Sequence, residues 1–455
     1  MKKLFLNLLV CGCVSFGFSQ QSDSTQVFKK RVLENIEVDF MSSYYSQDGN
    51  NASVTGGIGT EKLTDVTPSF TVSIPLNDDD VLTIDAGISA YSSASSSNVG
   101  PFDSRNGTQL NASPWVESSG ESSSDAWSNI SGVYSHSSDD RNTIISANVS
   151  LASEYDYNSF GFGGGITKLY NKKNTELGAK VNIFIDSWSP VTPTELRSND
   201  AFSGFPIYNA DGNLDNTWSP HKTDLVTEKG RNTYSGSFSF SQILSKNMQL
   251  SLFMDIIQQS GWLANPMQRV YFQDKTDYFV GNPDQISGYL SPSSRDVFML
   301  ADDIERLPDT RLKIPIGARL NYYINENLTL RTYYRFYSDD WGVSSNTVQV
   351  EFPIKLGNKF AVIPSYRYNS QSAADYFAPF NEHKSTDEFY TSDYDLSKFT
   401  ANQYGLGLRY TDVLTNTKVW RLGLKSVNVK YSYYDRSTGL TASIISFGVK
   451  FVVDK

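Results

Sequence analysis

The sequence predicts an all-β protein: a transmembrane antiparallel up-and-down β-barrel of about sixteen strands, with long extracellular loops. Three observations predict it. Apolar and polar residues alternate with period two from residue 35 to the end, the connecting segments sort by length into two alternating sets, and the composition is short of apolar residues yet rich in aromatic ones.

The alternation comes first. In 233–242, Tyr234, Phe238 and Phe240 alternate with Ser235, Ser237, Ser239 and Ser241. In 80–91, Leu82, Ile84, Ala86, Ile88 and Ala90 alternate with Thr83, Asp85, Gly87 and Ser89, and 311–323 repeats the pattern from Leu312 to Tyr322. Period two with one apolar face is the signature of strands, and helical spacing is almost absent. Strands are expected at 35–46, 64–75, 80–91, 125–136, 142–153, 159–169, 174–186, 232–242, 248–258, 311–323, 328–338, 343–355, 359–369, 401–411, 420–434 and 440–452. Each is long enough for the ~9–11 residues a tilted strand needs to cross hydrocarbon.

The connections decide between a barrel and a soluble sandwich, which also alternates. One set is short and polar: 77–79, 137–140, 170–173, 244–247, 324–327, 356–358 and the longer 412–419. The other set holds every long segment, 47–63, 92–124, 187–231, 259–310 and 370–400, with short members at 154–158, 339–342 and 435–439. Short turns at one end and long loops at the other are what a membrane barrel shows, and a sandwich has no reason to segregate them. Composition agrees. The chain of 455 residues is 39% hydrophobic, with Tyr and Phe at 27 each, which suits apolar residues lining only the outside of a sheet.

The N-terminus reads as an export signal over residues 1–19, followed by a periplasmic segment at 20–34 and the barrel at 35–455. Lys2 and Lys3 precede an apolar stretch from Leu4 to Phe18, and Gly17, Phe18 and Ser19 offer a cleavage site. Lipid attachment at Cys13 is the alternative in the same segment. Cleavage removes both cysteines and two lysines, leaving 37 of the 39 basic residues against 49 acidic ones, a net charge of −12. That balance opposes nucleic-acid binding. The expected location is the bacterial outer membrane, reached through the barrel-assembly machinery, with outer-membrane lipid as the immediate partner.

Aromatics add a weaker signal. Tyr44, Tyr45, Tyr91, Tyr134, Phe160, Tyr333, Tyr334, Phe336, Tyr337, Tyr366, Tyr368, Tyr433 and Tyr434 are expected near strand ends on the long-loop side, where interfacial girdles hold amphipathic rings. The loop 259–310 carries Trp262, Leu263, Val270, Tyr271, Phe272, Tyr278, Phe279, Val297, Phe298 and Leu300. It is too apolar to dangle in water and is expected to fold, with the lumen as one place to do so. By contrast, 92–124 is serine-rich and of low complexity.

Several segments carry a resemblance. Trp262-Leu263-Ala264-Asn265-Pro266 leads into Gln268-Arg269-Val270; then come Glu305-Arg306-Leu307-Pro308-Asp309-Thr310-Arg311, Tyr337-Ser338-Asp339-Asp340-Trp341-Gly342, and 369–377, from Asn369 through Asp375 to Phe377. Together they resemble the domain-of-unknown-function 3570 family (DUF3570), over nearly the whole mature chain. The resemblance implies an exported outer-membrane barrel, and through the flavin transferase and small lipoprotein linked with some relatives it implies envelope redox work with a periplasmic or lipoprotein partner. It supplies no catalytic residues.

Enzymatic signals are scarce, so no enzyme and no cofactor are expected. His136, His221 and His383 lack ligand spacing, and no Gly-x-Ser-x-Gly is present. Asp211, Asn213 and Asp215 begin like a calcium loop, but Asn216 stands where its turn glycine belongs and Lys222 where its bidentate Glu belongs. Gly161–Gly165 lies within a strand and is no phosphate loop. No metal site is expected.

The inward face is more informative. If the apolar faces meet lipid, the lumen-lining residues include Arg319, Arg331, Arg335, Arg367, Arg409, Lys430 and Glu351, with Lys313, Lys355 and Lys450, in the C-terminal half. Asp85 and Asp255, with Glu37, Asp39 and Asp186, line the N-terminal half, Lys180 being the exception. Two readings stay open: a transverse field across a pore, or salt bridges closing a lumen plugged by 259–310. Three functions follow: a pore for small polar solutes, a scaffold for a periplasmic or surface partner, or a surface-interaction protein acting through its loops.

Overall fold

The computed structural model describes residues 31–92, 124–189, 192–197, 205–221, 229–289 and 297–453. The export segment 1–19 with Cys13, residues 20–30 and most of the serine-rich loop 92–124 lie outside the described residues.

Alternating residues make strands, and sixteen antiparallel ones close into a single barrel. They are β1 (Ile36–Asp48), β2 (Leu63–Pro75), β3 (Asp80–Ser92), β4 (Ser124–Ser137), β5 (Thr143–Ser153), β6 (Tyr157–Tyr170), β7 (Thr175–Trp188) and β8 (Lys229–Ser245). After them come β9 (Met248–Gly261), β10 (Thr310–Asn325), β11 (Leu328–Asp339), β12 (Ser344–Glu351, resuming as Ile354–Leu356), β13 (Phe360–Gln371), β14 (Phe399–Thr411), β15 (Leu422–Arg436) and β16 (Thr441–Val453). Each pairs with its neighbours in sequence, and β16 returns to β1 from Ile36↔Val453 to Asp48↔Thr441. Closure leaves no unpaired edge, as a strand structure in lipid requires. The expected strand positions are the observed ones to within a few residues.

Short turns form where the sequence supplies their chemistry. Asn77 Oδ1 accepts from the Asp79 and Asp80 amides, and Asn325 Oδ1 accepts from those of Asn327 and Leu328. These are side-chain-capped turns that need few residues.

The register sorts the side chains. Ala179, Phe238, Met254, Ile316 and Phe336 fall in one row across five strands, and Tyr366, Tyr404 and Tyr433 in another. Large apolar side chains on this face are exposed all round the barrel, among them Phe70, Ile130, Val181, Phe238, Ile316 and Leu406. A belt so wide is tolerable only in lipid. Leu406→Arg puts a charge into it and is expected to destabilise the barrel by about 2–4 kcal/mol. Urea titration in lipid vesicles reads this as a lowered midpoint, and an unchanged midpoint counts against lipid contact at that position.

The aromatic expectation needs correction. Tyr44, Phe160, Tyr334, Phe336, Tyr366 and Tyr433 are exposed on the belt, but Tyr45, Tyr91, Tyr333, Tyr337 and Tyr434 share the opposite face. Tyr134 lies near the short-turn end, bonded to Asp80 at 2.9 Å, because β4 runs towards that end.

The apolar core sits at the long-loop mouth. Residues 49–62, 192–197, 205–221, 262–289, 297–309 and 372–398 build a folded cap there. Ile207–Asn209, Tyr278–Gly281 and Val297–Met299 form a three-stranded antiparallel sheet, and Arg269–Val270 pairs with Asp303–Ile304. Leu196, Tyr271, Phe279, Ile286, Val297, Met299, Ala301 and Ile304 form its main cluster. The large loop therefore folds, as its composition predicts, and does so jointly with its neighbours.

Candidate lumen site

The cap is fastened to the wall by charge. Arg436 of β15 pairs with Asp395 at 2.6 Å and with Glu61 at 3.6 Å. Gln371 donates to the Asp395 and Ser397 carbonyls. Arg311 of β10 pairs with Asp339 of β11 and stacks on Trp341, 4.2 Å from the ring centre, and the Trp341 indole donates to the Thr310 carbonyl. Gly342, at φ +83, keeps space that Asp375 fills; a Cβ there would meet its carboxylate at 2.4 Å. Within the cap, Arg269 and Glu195 form a fully buried ion pair at 2.6 Å.

Towards the short-turn end, the face opposite the belt is polar and open. Met41 is 58% exposed there, and Arg319 and Arg367 are also exposed. All nine residues singled out in the sequence, Arg319, Arg331, Arg335, Arg367, Arg409, Lys430, Glu351, Asp85 and Asp255, share this face by register. Lys430 of β15 reaches Glu351 of β12 at 3.5 Å over the two strands between them, as side chains do on the concave side of a curved sheet.

The structure brings some of these residues together and separates others. Arg319 of β10 is the register partner of Tyr333, whose own neighbours two positions away on β11 are Arg331 and Arg335. Arg367 of β13 faces Gln349, which faces Tyr333. Arg409 donates to Asn428 at 2.7 Å. Asp85 lies on the opposite wall and accepts from Thr71 at 2.6 Å. Asp255 of β9 faces Ser237.

Some of the inward charges are paired and others are not. At the seam, Lys450 meets Glu37 at 2.7 Å and Asp39 at 3.2 Å, and Lys425 meets Glu37 at 2.7 Å. Arg231 likewise neutralises Asp186 at 2.7 Å. No such partner lies within ion-pair distance of Arg319, Arg331, Arg335 or Arg367 among the described residues. Lys425 escapes the alternation because a bulge between Leu424 and Ser426 shifts the register. Phe253 was not singled out in the sequence and Tyr333 was expected in the girdle, although the parity of Asp255 and Arg331 beside them is the signal that places both rings inward.

Elsewhere, the segment with Asp211, Asn213 and Asp215 is a turn in which Asn209 accepts from the Asp211 and Asn213 amides, and Asp215 accepts from Thr217. Among the described residues no group of three or more His, Cys, Asp or Glu is placed to hold a metal.

A family model described as "Protein of unknown function (DUF3570)" matches residues 6–443. No curated protein matches the sequence. Among solved structures, the chain is similar to a bacterial polysaccharide outer membrane secretin, at 9% identity over 92% of this chain and 99% of that one, with a TM-score of 0.43. It is also similar to the TodX monoaromatic hydrocarbon channel in a deltaS2S3 mutant, at 11% identity over 92% and 90%, TM-score 0.39. A third is the outer membrane protein opdK from Pseudomonas aeruginosa, at 9% identity over 92% and 99%, TM-score 0.37. These likenesses are slight, and the architecture rests on the strand register itself.

Proposed function

The chain belongs to that family, DUF3570, and on that premise we propose that it is an outer-membrane barrel passing small polar solutes, with the folded cap controlling its outer mouth. The observation that carries this reading is the charged, solvent-exposed interior below the cap. Met41 is 58% exposed on the inward face, and Arg319 and Arg367 are exposed on the same face of strands across the interior from it. Barrels of about sixteen strands are wide enough to leave an aqueous channel, whereas those of about eight fill with side chains. Charges at mid-depth then face water, and they set which solutes enter.

Outer-membrane lipid surrounds the belt, and assembly proceeds through the barrel-assembly machinery, for which β16 offers an apolar face of Ile445, Phe447, Val449 and Phe451. The purified full chain in planar bilayers is expected to give stepwise ion conductance. No flux from protein verified as folded and inserted overturns the channel reading. A second reading is favoured by the cap itself, whose own buried core makes it a fixed surface: the barrel then serves as a scaffold for a lipoprotein or other envelope partner. Purification from native membranes tests it, since a bare barrel without any stoichiometric companion sinks the scaffold.

A further inference from the structure

Four inward arginines differ from the ion-paired cations of the wall in what holds them. Lys425, Lys450, Arg231, Arg311 and Arg436 each meet a carboxylate. Arg319, Arg331, Arg335 and Arg367 do not. Glu351 is the register partner of Arg331, yet its Oε1 takes Gln349 at 3.0 Å and Lys430 at 3.5 Å instead. Adjacent strands lie about 4.8 Å apart and alternate residues about 7 Å apart, so the four share a patch roughly 15 Å wide. Like charges this close are unfavourable unless water or an anion sits between them.

Aromatic rings hold two of them. The Phe253 and Tyr333 rings stack at 5.8 Å and 13°, and the Arg319 guanidinium lies 5.6 Å from one and 5.5 Å from the other. Arg335 lies 5.6 Å from the Tyr337 ring. Gly317 makes the stack possible, because a Cβ there would stand 2.2 Å from Phe253 Cζ. A ring attracts the face of a guanidinium and positions it, while the N–H edge stays available. That edge is the fork that matches two oxygens of a carboxylate or phosphate.

We propose that Arg319, braced by Phe253 and Tyr333, and Arg335, braced by Tyr337, form with Arg331 and Arg367 a binding site for the oxyanion groups of small solutes. This deepens the channel reading by naming the class of solute, and it rests on that reading only for passage, not for binding. Succinate and inorganic phosphate, titrated separately into detergent-solubilised full chain by calorimetry, distinguish carboxylate from phosphate as the preferred group. Binding of at least one is expected. In Arg331→Ala with Arg335→Ala it should weaken at least about tenfold, and Arg331→Lys with Arg335→Lys should recover charge attraction but not the two-pronged contact. In bilayers the same alanine pair should move reversal potentials towards cation preference.

Each outcome decides something. No heat with either probe, or equal affinity in the wild type and the alanine pair, overturns the oxyanion site even if the barrel conducts. Binding that is lost in the alanine pair sustains the site even if no conductance is found, in which case only the channel reading fails. Heat-modifiable gel mobility shows whether the variants are folded.

Discussion

Arg269→Ala is expected to unfold the cap while leaving the barrel standing. Arg269 is fully buried and ties three loops together. Its guanidinium donates to Glu195 at 2.6 and 3.3 Å and to the Val54 carbonyl at 2.5 Å, and it lies 5.3 Å from the Phe298 ring. Removing it leaves the Glu195 carboxylate buried without its counter-charge, and breaking a buried pair in this way costs about 3–5 kcal/mol. The cap has a small core and little stability to spare, whereas the barrel is fixed by sixteen closed ladders. Hydrogen exchange should show loss of protection at Val270, Phe272 and Ala301, with strands such as β5 and β6 unchanged. Arg269→Met combined with Glu195→Leu removes both charges at similar volume and should restore most of the protection. Wild-type protection in the single variant would mean that the pair is not what holds the cap. If the cap controls the mouth, the single variant should also raise the open fraction in bilayers.

The wall was legible in the sequence and the cap was not, for a physical reason. A strand facing lipid on one side and water on the other writes its geometry into every second residue, so Tyr234 through Phe240 reveal both the strand and its inward face. The inward parity of Arg319, Arg331 and Arg335 followed from the same rule. Cap residues obey no such period. Arg269 and Glu195 meet across 74 positions, and nothing local to either residue announces the other. The segments behind the family resemblance nevertheless converge there. Gln268 and Arg269 are buried in the cap, Glu305 beside them; Trp341 and Gly342 seat it on the wall, and Asp375 fills the space that Gly342 leaves. Tyr134 was misplaced although the expected strand 125–136 already runs into the short connection 137–140, which puts this ring at the short-turn end. The bulge at Leu424 and Ser426, which turns Lys425 inward, marks the sequence only as a change of apolar parity, from Leu422 and Leu424 to Val427 and Val429.

The cap should also loosen as pH rises, because three of its buried carboxyl groups are raised, against a single buried imidazole, His383, that burial lowers and that works the other way. Burial pushes Glu305 up to about 8, with Asp393 nearby adding to the effect and the Asn265 amide opposing it. Burial raises Asp302 to about 7 against the Phe272 amide; Asp277 and Asp274 add to the rise and Lys275 opposes it. Asp393 is raised to about 6 by burial and then by Asp395, with Arg436 opposing. Unfolded carboxylates titrate near ~4, so each folded value lies above its unfolded one. The stability these groups allow is therefore fully present below about pH 4 and is lost as pH rises through the folded values, levelling off above about pH 8. Within that window each group costs up to about 1.4 kcal/mol per pH unit. The urea midpoint of the cap, read from protection at Val270 and Ala301 with labelling at one fixed pH, should fall between pH 5 and pH 8.5. Glu305→Gln keeps the volume and removes the titration, so its curve should be flatter above pH 6. A midpoint that stays constant or rises over this range would show that these carboxylates are not protonated in the folded cap. If the fall is seen and conductance rises with it, the same acids that pack the cap also set when the mouth opens.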